Sequence, residues 1–571
     1  MAQARHRRSR STTLVAVTAT VVTAAVVLGM LAGLAWWNDS TRSASDESAP
    51  AASAAPMPSG DPFAPPSDSA IGGLGTGQGT AADSIENIAF ILADDLDWAT
   101  FEQVSRLAAL PAQGTTFANT VVTDSLCCPS RVSILRSQYV HNHNVVSNRL
   151  DSGGGWPTFN ALGLENDCLP VWLTGAGVRT ALIGKYLNEY PNGGPPTYIP
   201  PGWSEWVVPV TQGPAYTGYD YTLNENGTLV SYGRAPEDFL GDVLIDRAVS
   251  FIETTSTPFY LQLSLMNPHN PSPVAPRHKG SGAELEIPRS PAFNARSTGE
   301  PPWRADLPGI GKKRLNRLDA AWRQRVASSQ TVADAVEAVT DALTRAGKLE
   351  TTLIVVGSDN GYHAVNRRLP AGKRTPYRED TVVPLVFIGP GVPVGATVNA
   401  LTSTIDLGPT FAELMGAATP EWADGRSLTP FLDGPAGSGW RTGILSESLG
   451  DSAPGDPDYQ TLRPPKFAAL RTPEWLYVEY LDGERELYAL IADPYEVRNV
   501  IDAVDEATLA PLQAQLAALR PPTLGLPVTL LGALAVAIPL LVLAARALAR
   551  RHARPRPPWG PSGVVPSVVS R

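Results

Sequence analysis

The sequence predicts an α/β fold: a large mixed, mostly parallel sheet flanked by helices, then a small antiparallel sheet with a helix, and transmembrane helices at the termini. Three observations predict it. Four short apolar runs each end in polar residues: IAFILADD at 88–95, TALIGK at 180–185, FYLQLSLMNPHNP at 259–271 and TTLIVVGSDNGYH at 351–363. Runs of that length without alternation read as strands buried on both faces of a parallel sheet. A long helical pattern spans 313–347 and is capped by Gly347. From about 420 to 515 the pattern changes to short alternating strands, and WLYVEYLDGERELYAL at 475–490 reads as a hairpin turning at Asp482-Gly483.

The termini come next. Arg5, Arg7, Arg8 and Arg10 precede an uncharged apolar run, so residues 1–38 read as a signal-anchor or signal peptide with the N-terminus inside. Residues 39–84, rich in Ala, Ser, Pro and Gly, read as a flexible linker. The body divides at 85–418 and 419–520. Residues 521–546 form an apolar span long enough to cross a bilayer, and 547–571 a basic tail that the positive-inside rule places in the cytoplasm. The body between them is therefore expected outside the cell membrane.

Charge is segregated. Residues 1–37 hold four Arg and no acid, residues 525–571 six Arg and no acid, which leaves 35 basic against 55 acidic residues between them. That balance excludes nucleic acid as a partner, since such a partner demands a basic face. An anionic substrate needs a local pocket of cations instead. Cys127, Cys128 and Cys168 are the only cysteines, too few for a disulfide framework or a CxxC metal cluster.

The chemistry centres on Cys127-Cys128-Pro129-Ser130-Arg131. Pro129 suits the first position of a helix, and Val132, Leu135 and Tyr139 follow at helical spacing. Cys127 is then at or just before a helix N-terminus, where an anion is favoured and a thiol's pKa is expected to fall. Arg131 offers a fork for a sulfate or phosphate. Asp94-Asp95 and Asp359-Asn360 lie at the carboxyl ends of two predicted strands, where open α/β sheets place their ligands. Their oxygens suit a hard cation, and Gly361 permits the turn after them. Lys185 and His269 end two further strands. The excursion 272–312, rich in Pro, Gly, Arg and Lys, is expected to shape a substrate mouth from the surface.

These motifs resemble those of the sulfatase family, over roughly residues 86–500. The signature C-x-P-S-R is matched by Cys127 to Arg131, the Gly-Lys by Gly184-Lys185, and the G-K-x-T-x-Y segment by GKRTPYRED at 372–380. The wording of GKYLNEY is closest to the N-acetylglucosamine-6-sulfatase-like branch. The resemblance implies an alkaline-phosphatase-like fold and hydrolysis of sulfate esters. It implies that Cys127 is converted to formylglycine by a formylglycine-generating enzyme. It implies one divalent cation, Ca2+ first with Mg2+ as the alternative, on Asp94, Asp95, Cys127, Asp359 and Asn360. Cys127, Arg131, Lys185, His269 and Lys373 are the implied catalytic residues, and Lys185, His269 and Lys373 the implied substrate-binding ones; His363, two residues after Gly361, is expected to face the substrate as well. The implied substrate is a sulfated sugar or another sulfate ester. Two departures stand out. Leu187 occupies a position where many members have histidine, with Asn188 beside it as a replacement candidate. Leu135-Arg136-Ser137 stands where Leu-Thr-Gly is usual. The rival readings are a phosphodiesterase or phosphonate monoester hydrolase of the same superfamily, and a non-catalytic binder of sulfated glycans.

Overall fold

The computed structural model describes residues 84–520, apart from 257, 433, 435–438, 452–455, 457 and 460–461. These residues belong to one compact unit. The two apolar terminal segments, the linker and the basic tail also lie outside the described residues. Among the described residues no helix is long and apolar enough to cross a membrane.

The large sheet contains β1 (Asn87–Asp94), β2 (Thr115–Phe117), β3 (Arg179–Gly184), β4 (Glu205–Pro209), β5 (Thr222–Glu225), β6 (Thr228–Ser231), β7 (Phe259–Pro268), β8 (Thr352–Ser358), β9 (Leu385–Ile388) and β10 (Ala396–Val398). They lie in the order β10-β2-β9-β8-β1-β7-β3-β4-β5-β6. The centre, β8-β1-β7-β3-β4, is parallel. Antiparallel pairs flank it: β9 against β8 and β2, β4 against β5, and β5 against β6.

Every residue of β1, β7 and β8 is buried. In β1 the side chains alternate between two cores: Ala89, Ile91 and Ala93 face one, Ile88, Phe90 and Leu92 the other. Strand side chains point alternately to opposite faces, and both faces are dry here, so the sequence shows an unbroken apolar run.

Helices α1 (Cys127–Arg136), α2 (Leu240–Thr254), α3 (Lys312–Arg345) and α4 (Leu407–Leu414) cover the sheet. Leu240, Leu244, Phe251 and Ile252 of α2 and Val332, Val336 and Val339 of α3 pack into the first core. Ile134 of α1 and Phe411 of α4 pack into the second. All ten residues of α1 are buried. The helix begins two residues earlier than the proline position predicts. Pro129 is its third residue, still in the first turn, where a missing N–H costs no intrahelical bond.

The smaller sheet has β11 (Ile444–Ser448), β12 (Phe467–Arg471), β13 (Trp475–Tyr480) and β14 (Arg485–Ala489), antiparallel in sequence order. The turn at Asp482-Gly483 is as predicted, with Gly483 at φ 92°. Helix α5 (Glu506–Leu519) lays Leu509, Leu512 and Leu516 against Leu445, Leu470 and Tyr477.

The excursion 272–312 is not simply a surface loop. Its Arg304 is buried, donating from Nε to Tyr377 Oη at 2.8 Å and from Nη2 to Tyr488 Oη at 2.9 Å. It is a strap joining the smaller sheet to the segment that carries Lys373.

The far turns of α1 are held by His143. Its Nδ1 accepts from the Val145 N–H at 3.1 Å, so Nε2 carries the proton and faces Ser133 Oγ at 3.0 Å. Burial, then Arg136 and His141, push its pKa down to about 3. The unfolded chain takes up a proton below about pH 6.5 that the folded chain refuses. Stability on this group's account is therefore full above pH 6.5 and falls by about 1.4 kcal/mol per unit as pH drops towards 3. Urea unfolding of wild type and His143→Gln between pH 6.5 and 5 should differ by this slope, the variant losing less stability as pH falls.

Candidate active site

Neighbouring parallel strands deliver their polar ends to one edge of the sheet. Asp94 closes β1 and Asp95 follows it at φ 69°, a left-handed conformation that is uncommon outside glycine and recurs at functional sites. Asp359 and Asn360 follow β8, His269 follows β7, and Lys185 follows β3. Gly184 makes that last turn possible. Its φ is +113°, and a Cβ there would lie 2.0 Å from the Ser264 carbonyl oxygen, to which the Lys185 N–H donates at 2.7 Å. Helix α1 presents Cys127 from its first turn, and the Cys128 N–H is capped by Asn148 Oδ1 at 2.9 Å.

Ligand atoms of Asp94, Asp95, Cys127 and His269 lie within 4.8 Å of one another. Asp359 Oδ1 accepts from the Asp95 N–H at 3.1 Å, and Asn360 Nδ2 donates to Asp95 Oδ1 at 2.7 Å. The five residues predicted to hold a cation therefore meet. Three cations thread the cluster. Lys185 Nζ lies 2.6 Å from Asp94 Oδ2. Lys373 Nζ lies 2.6 Å from Asp95 Oδ1 and 2.8 Å from Cys127 Sγ. Arg131 Nε lies 2.7 Å from Asp359 Oδ2.

Mutual pairing sets the protonation. Burial opposes ionisation of Asp94, but Lys185, His269 and Arg131 outweigh it and hold the carboxyl below its usual range. Burial and the neighbouring Asp94 lift Asp359. Burial also opposes charge on His269, yet Asp95, Asp94 and Asp458 raise it to about 10. Lys185 and Lys373 stay charged: burial works against them, and the facing carboxylates win.

The expected thiolate is a correction. Burial, then Asp94, push the Cys127 thiol well above its ordinary value, and Lys185 and Lys373 do not compensate. Position at a helix start favours a thiolate only where the desolvation cost is small.

His363 is a second correction. Its Nδ1 lies 2.8 Å from Asp380 Oδ1 and its Nε2 2.8 Å from the Pro370 carbonyl, so both nitrogens are engaged in bracing the loop that carries Lys373. Gly361 is needed for a different reason from the one predicted: a Cβ would lie 2.0 Å from the Glu379 carbonyl oxygen. Leu187 packs in the core with Leu182 and Trp206, and the Asn188 side-chain oxygen is buried without a hydrogen-bond partner.

Three residues at the site were not foreseen. The Tyr216 ring lies 4.4 Å from His269 and 5.3 Å from Lys185 Nζ. Asn148 and Asp458 meet over Cys127, with Asn148 Nδ2 2.8 Å from Asp458 Oδ2. Burial opposes charge on Asp458, but Lys373 and His269 keep its carboxyl well below the usual range. None of the three ends an apolar run, the signal that revealed Asp94, Asp95, Lys185, His269, Asp359 and Asn360.

The donors fit a hard divalent cation. Asp94, Asp95 and Asp359 supply carboxylate oxygens, and Asn360 Oδ1 is buried with no hydrogen-bond partner.

Fold and site together define a hydrolase of oxyanion esters. Residues 86–417 match the family model described as Sulfatase, and 371–521 the one described as N-sulphoglucosamine sulphohydrolase, C-terminal. The chain belongs to the sulfatase family and hydrolyses sulfate esters. It is 32% identical over 484 residues to the N-acetylglucosamine-6-sulfatase of Capra hircus, spanning 79% of this chain and 86% of that one. The Homo sapiens N-acetylglucosamine-6-sulfatase is equally similar, at 32% over 485 residues with the same spans. Its fold is similar to a protein solved with its substrate D-glucosamine-2-N,6-O-disulfate, at TM-score 0.62 and 21% identity, covering 76% of this chain and 96% of that one. It is also similar to a phosphonate monoester hydrolase from Silicibacter pomeroyi, at TM-score 0.58 and 24% identity, covering 76% and 94%.

Chelation should lower both activity and the unfolding temperature, and Ca2+ should restore both. A cation at a hundred times its Kd adds about 2.7 kcal/mol of stability, and Asn360→Ala should shrink that gain in a calorimetric titration.

Proposed function

We propose that the chain removes sulfate from a sulfated sugar of the N-acetylglucosamine-6-sulfate kind, using Cys127 oxidised to formylglycine and a bound divalent cation. Ester and water give the free alcohol, sulfate and a proton. The observation that carries this reading is the convergence of Asp94, Asp95, Asp359, Asn360, Lys185, His269 and Lys373 around Cys127 at the start of α1. Similarity to N-acetylglucosamine-6-sulfatases along most of both chains supports the sugar class.

Bound by Asp94, Asp95, Asp359 and Asn360, with Cys127 beside them, a cation, Ca2+ before Mg2+, supplies Lewis-acid polarisation of a sulfate oxygen. Formylglycine at position 127 would supply a hydrated aldehyde, with one hydroxyl as nucleophile and a second for release of the sulfate. Lys185, Lys373 and Arg131 offset charge that grows on the sulfate oxygens. His269 donates from Nδ1 to the Asn270 carbonyl at 2.7 Å, and the carboxylates that raise its pKa keep a second proton on Nε2, which is turned into the cluster for the leaving alcohol. Burial of the site excludes bulk water from these charges.

The formylglycine-generating enzyme is the partner this reading requires. We place the body outside the cell membrane, tethered through 1–38 and 521–546, with basic ends inside. The phosphonate monoester hydrolase reading remains the rival of the same fold.

Mass spectrometry of the Cys127 peptide from natively expressed protein should find the aldehyde. An unmodified thiol would favour the glycan-binder reading. The modified enzyme should cleave 6-sulfated N-acetylglucosamine and aryl sulfates faster than phosphonate monoesters, and the reverse order would favour the rival. Lys373→Ala should cut kcat by about 10²–10³.

A further inference from the structure

Asp458 lies in the stretch between β11 and β12, away from the strand ends that build the site. Its Oδ1 lies 3.1 Å from His269 Nε2 and 3.2 Å from Lys373 Nζ. Its Oδ2 lies 2.8 Å from Asn148 Nδ2 and 3.6 Å from Cys127 Sγ. One carboxylate thus takes three donors around the reacting atom.

A carboxylate here could orient His269, or it could stand where the substrate's sulfate stands. The ring nitrogen decides between them. An orienting acid binds the nitrogen turned away from the chemistry, as in acid–histidine pairs generally. In this protein that nitrogen, Nδ1, is already on the Asn270 carbonyl, and Asp458 sits on Nε2, the nitrogen turned towards Cys127 and Asp95. Asp458 therefore sits in front of the histidine. Carboxylate and sulfate are both oxyanions recognised by the same N–H donors. Two anions on one set of donors repel each other, so only one of them is held at a time.

We propose that Asp458 is an internal competitor for the sulfate position: the substrate's sulfate displaces its carboxylate from Asn148, His269 and Lys373, and the carboxylate returns as the product sulfate leaves. This rests on the sulfatase reading. It makes Asp458 a specificity-determining residue. An ester with sugar contacts beyond the sulfate offsets the displacement, whereas a small aryl sulfate or inorganic sulfate does not. It also limits product inhibition, because the returning carboxylate opposes rebinding of sulfate.

The test compares the wild-type chain, Asp458→Asn and Asp458→Glu, all loaded with Ca2+. Two quantities are read: the affinity for inorganic sulfate by calorimetry, and KM and kcat for a small aryl sulfate. Removing one like charge beside a bound anion should tighten inorganic sulfate by at least about tenfold in Asp458→Asn and lower KM for the aryl sulfate by a similar factor. The kcat should not rise, since product leaves more slowly. Asp458→Glu keeps the competing charge and should bind sulfate as the wild type does, which also controls for damage to the loop. Sulfate affinity that is unchanged or weaker in Asp458→Asn overturns the proposal. So does a hundredfold fall in kcat at constant KM, which would make Asp458 a catalytic partner. The calorimetric arm needs no turnover, so wild-type protein that binds sulfate but cleaves no sulfate ester overturns the sulfatase reading separately.

Discussion

Arg131 ties the site together. Its Nε meets Asp359 after β8, while its Nη1 donates to the Lys185 carbonyl after β3 at 3.0 Å and to Ser264 Oγ in β7 at 2.8 Å. One guanidinium on a fully buried helix thereby fixes the ends of β8 and β3 and the middle of β7 to one another and to Cys127, four residues earlier on the same helix. A planar fork with donors in fixed directions suits this task, and lysine would not span the same partners. A buried pair of this kind is weak evidence of net stabilisation, because desolvation consumes much of the attraction. Its cost makes sense where position matters more than stability, and the atoms it positions are those around Cys127.

The core architecture was legible because its signal is physical. A strand buried on both faces has no polar alternation, so its end is marked by the first polar residue, and that residue lies at the ligand edge of a parallel sheet. Asp94, Lys185, His269 and Asp359 were all visible in this way. Lys373 was visible only through family wording, since it sits in a loop with no periodic pattern. Asn148 and Asp458 were invisible for the same reason, since irregular segments bring them in, and Tyr216 sits in a helix of six residues, Gln212–Thr217, too short to show a period. His363 is close to Asp359-Asn360 in sequence but not in its contacts. The backbone turns after Gly361, under the Glu379 carbonyl, and carries the ring to Asp380 instead.

The motif departure at Leu135-Arg136-Ser137 also has a structural setting. Ser137 is the C-cap of α1, at φ 55° and ψ 36°, the left-handed position where helices favour glycine. The glycine usual in the family there is what this backbone asks for. The serine departs from it where Gly408 of α4 comes close: a Cβ on Gly408 would lie 1.9 Å from Ser137 Oγ. Gly408, with no side chain of its own, leaves the room that the Ser137 hydroxyl occupies.

Charge balance explains how an acidic protein handles an acidic substrate. Arg131, Lys185 and Lys373 each face one of Asp359, Asp94 and Asp95, and His269 faces Asp458. The chain's own groups come close to neutrality in a dry pocket, where a surplus of either sign would be costly. Such a site has little positive charge to spare for a sulfate ester. Binding a divalent cation adds two positive charges, and withdrawing Asp458 removes one negative charge. Either change makes the other partner's negative charge easier to accommodate, so cation, sulfate and the Asp458 carboxylate are linked through the same few donors, and the affinity of each depends on the others. The overall acidity of the molecule, formally −10, does not enter this balance, because buried pairs a few ångströms apart dominate over screened charges at the surface.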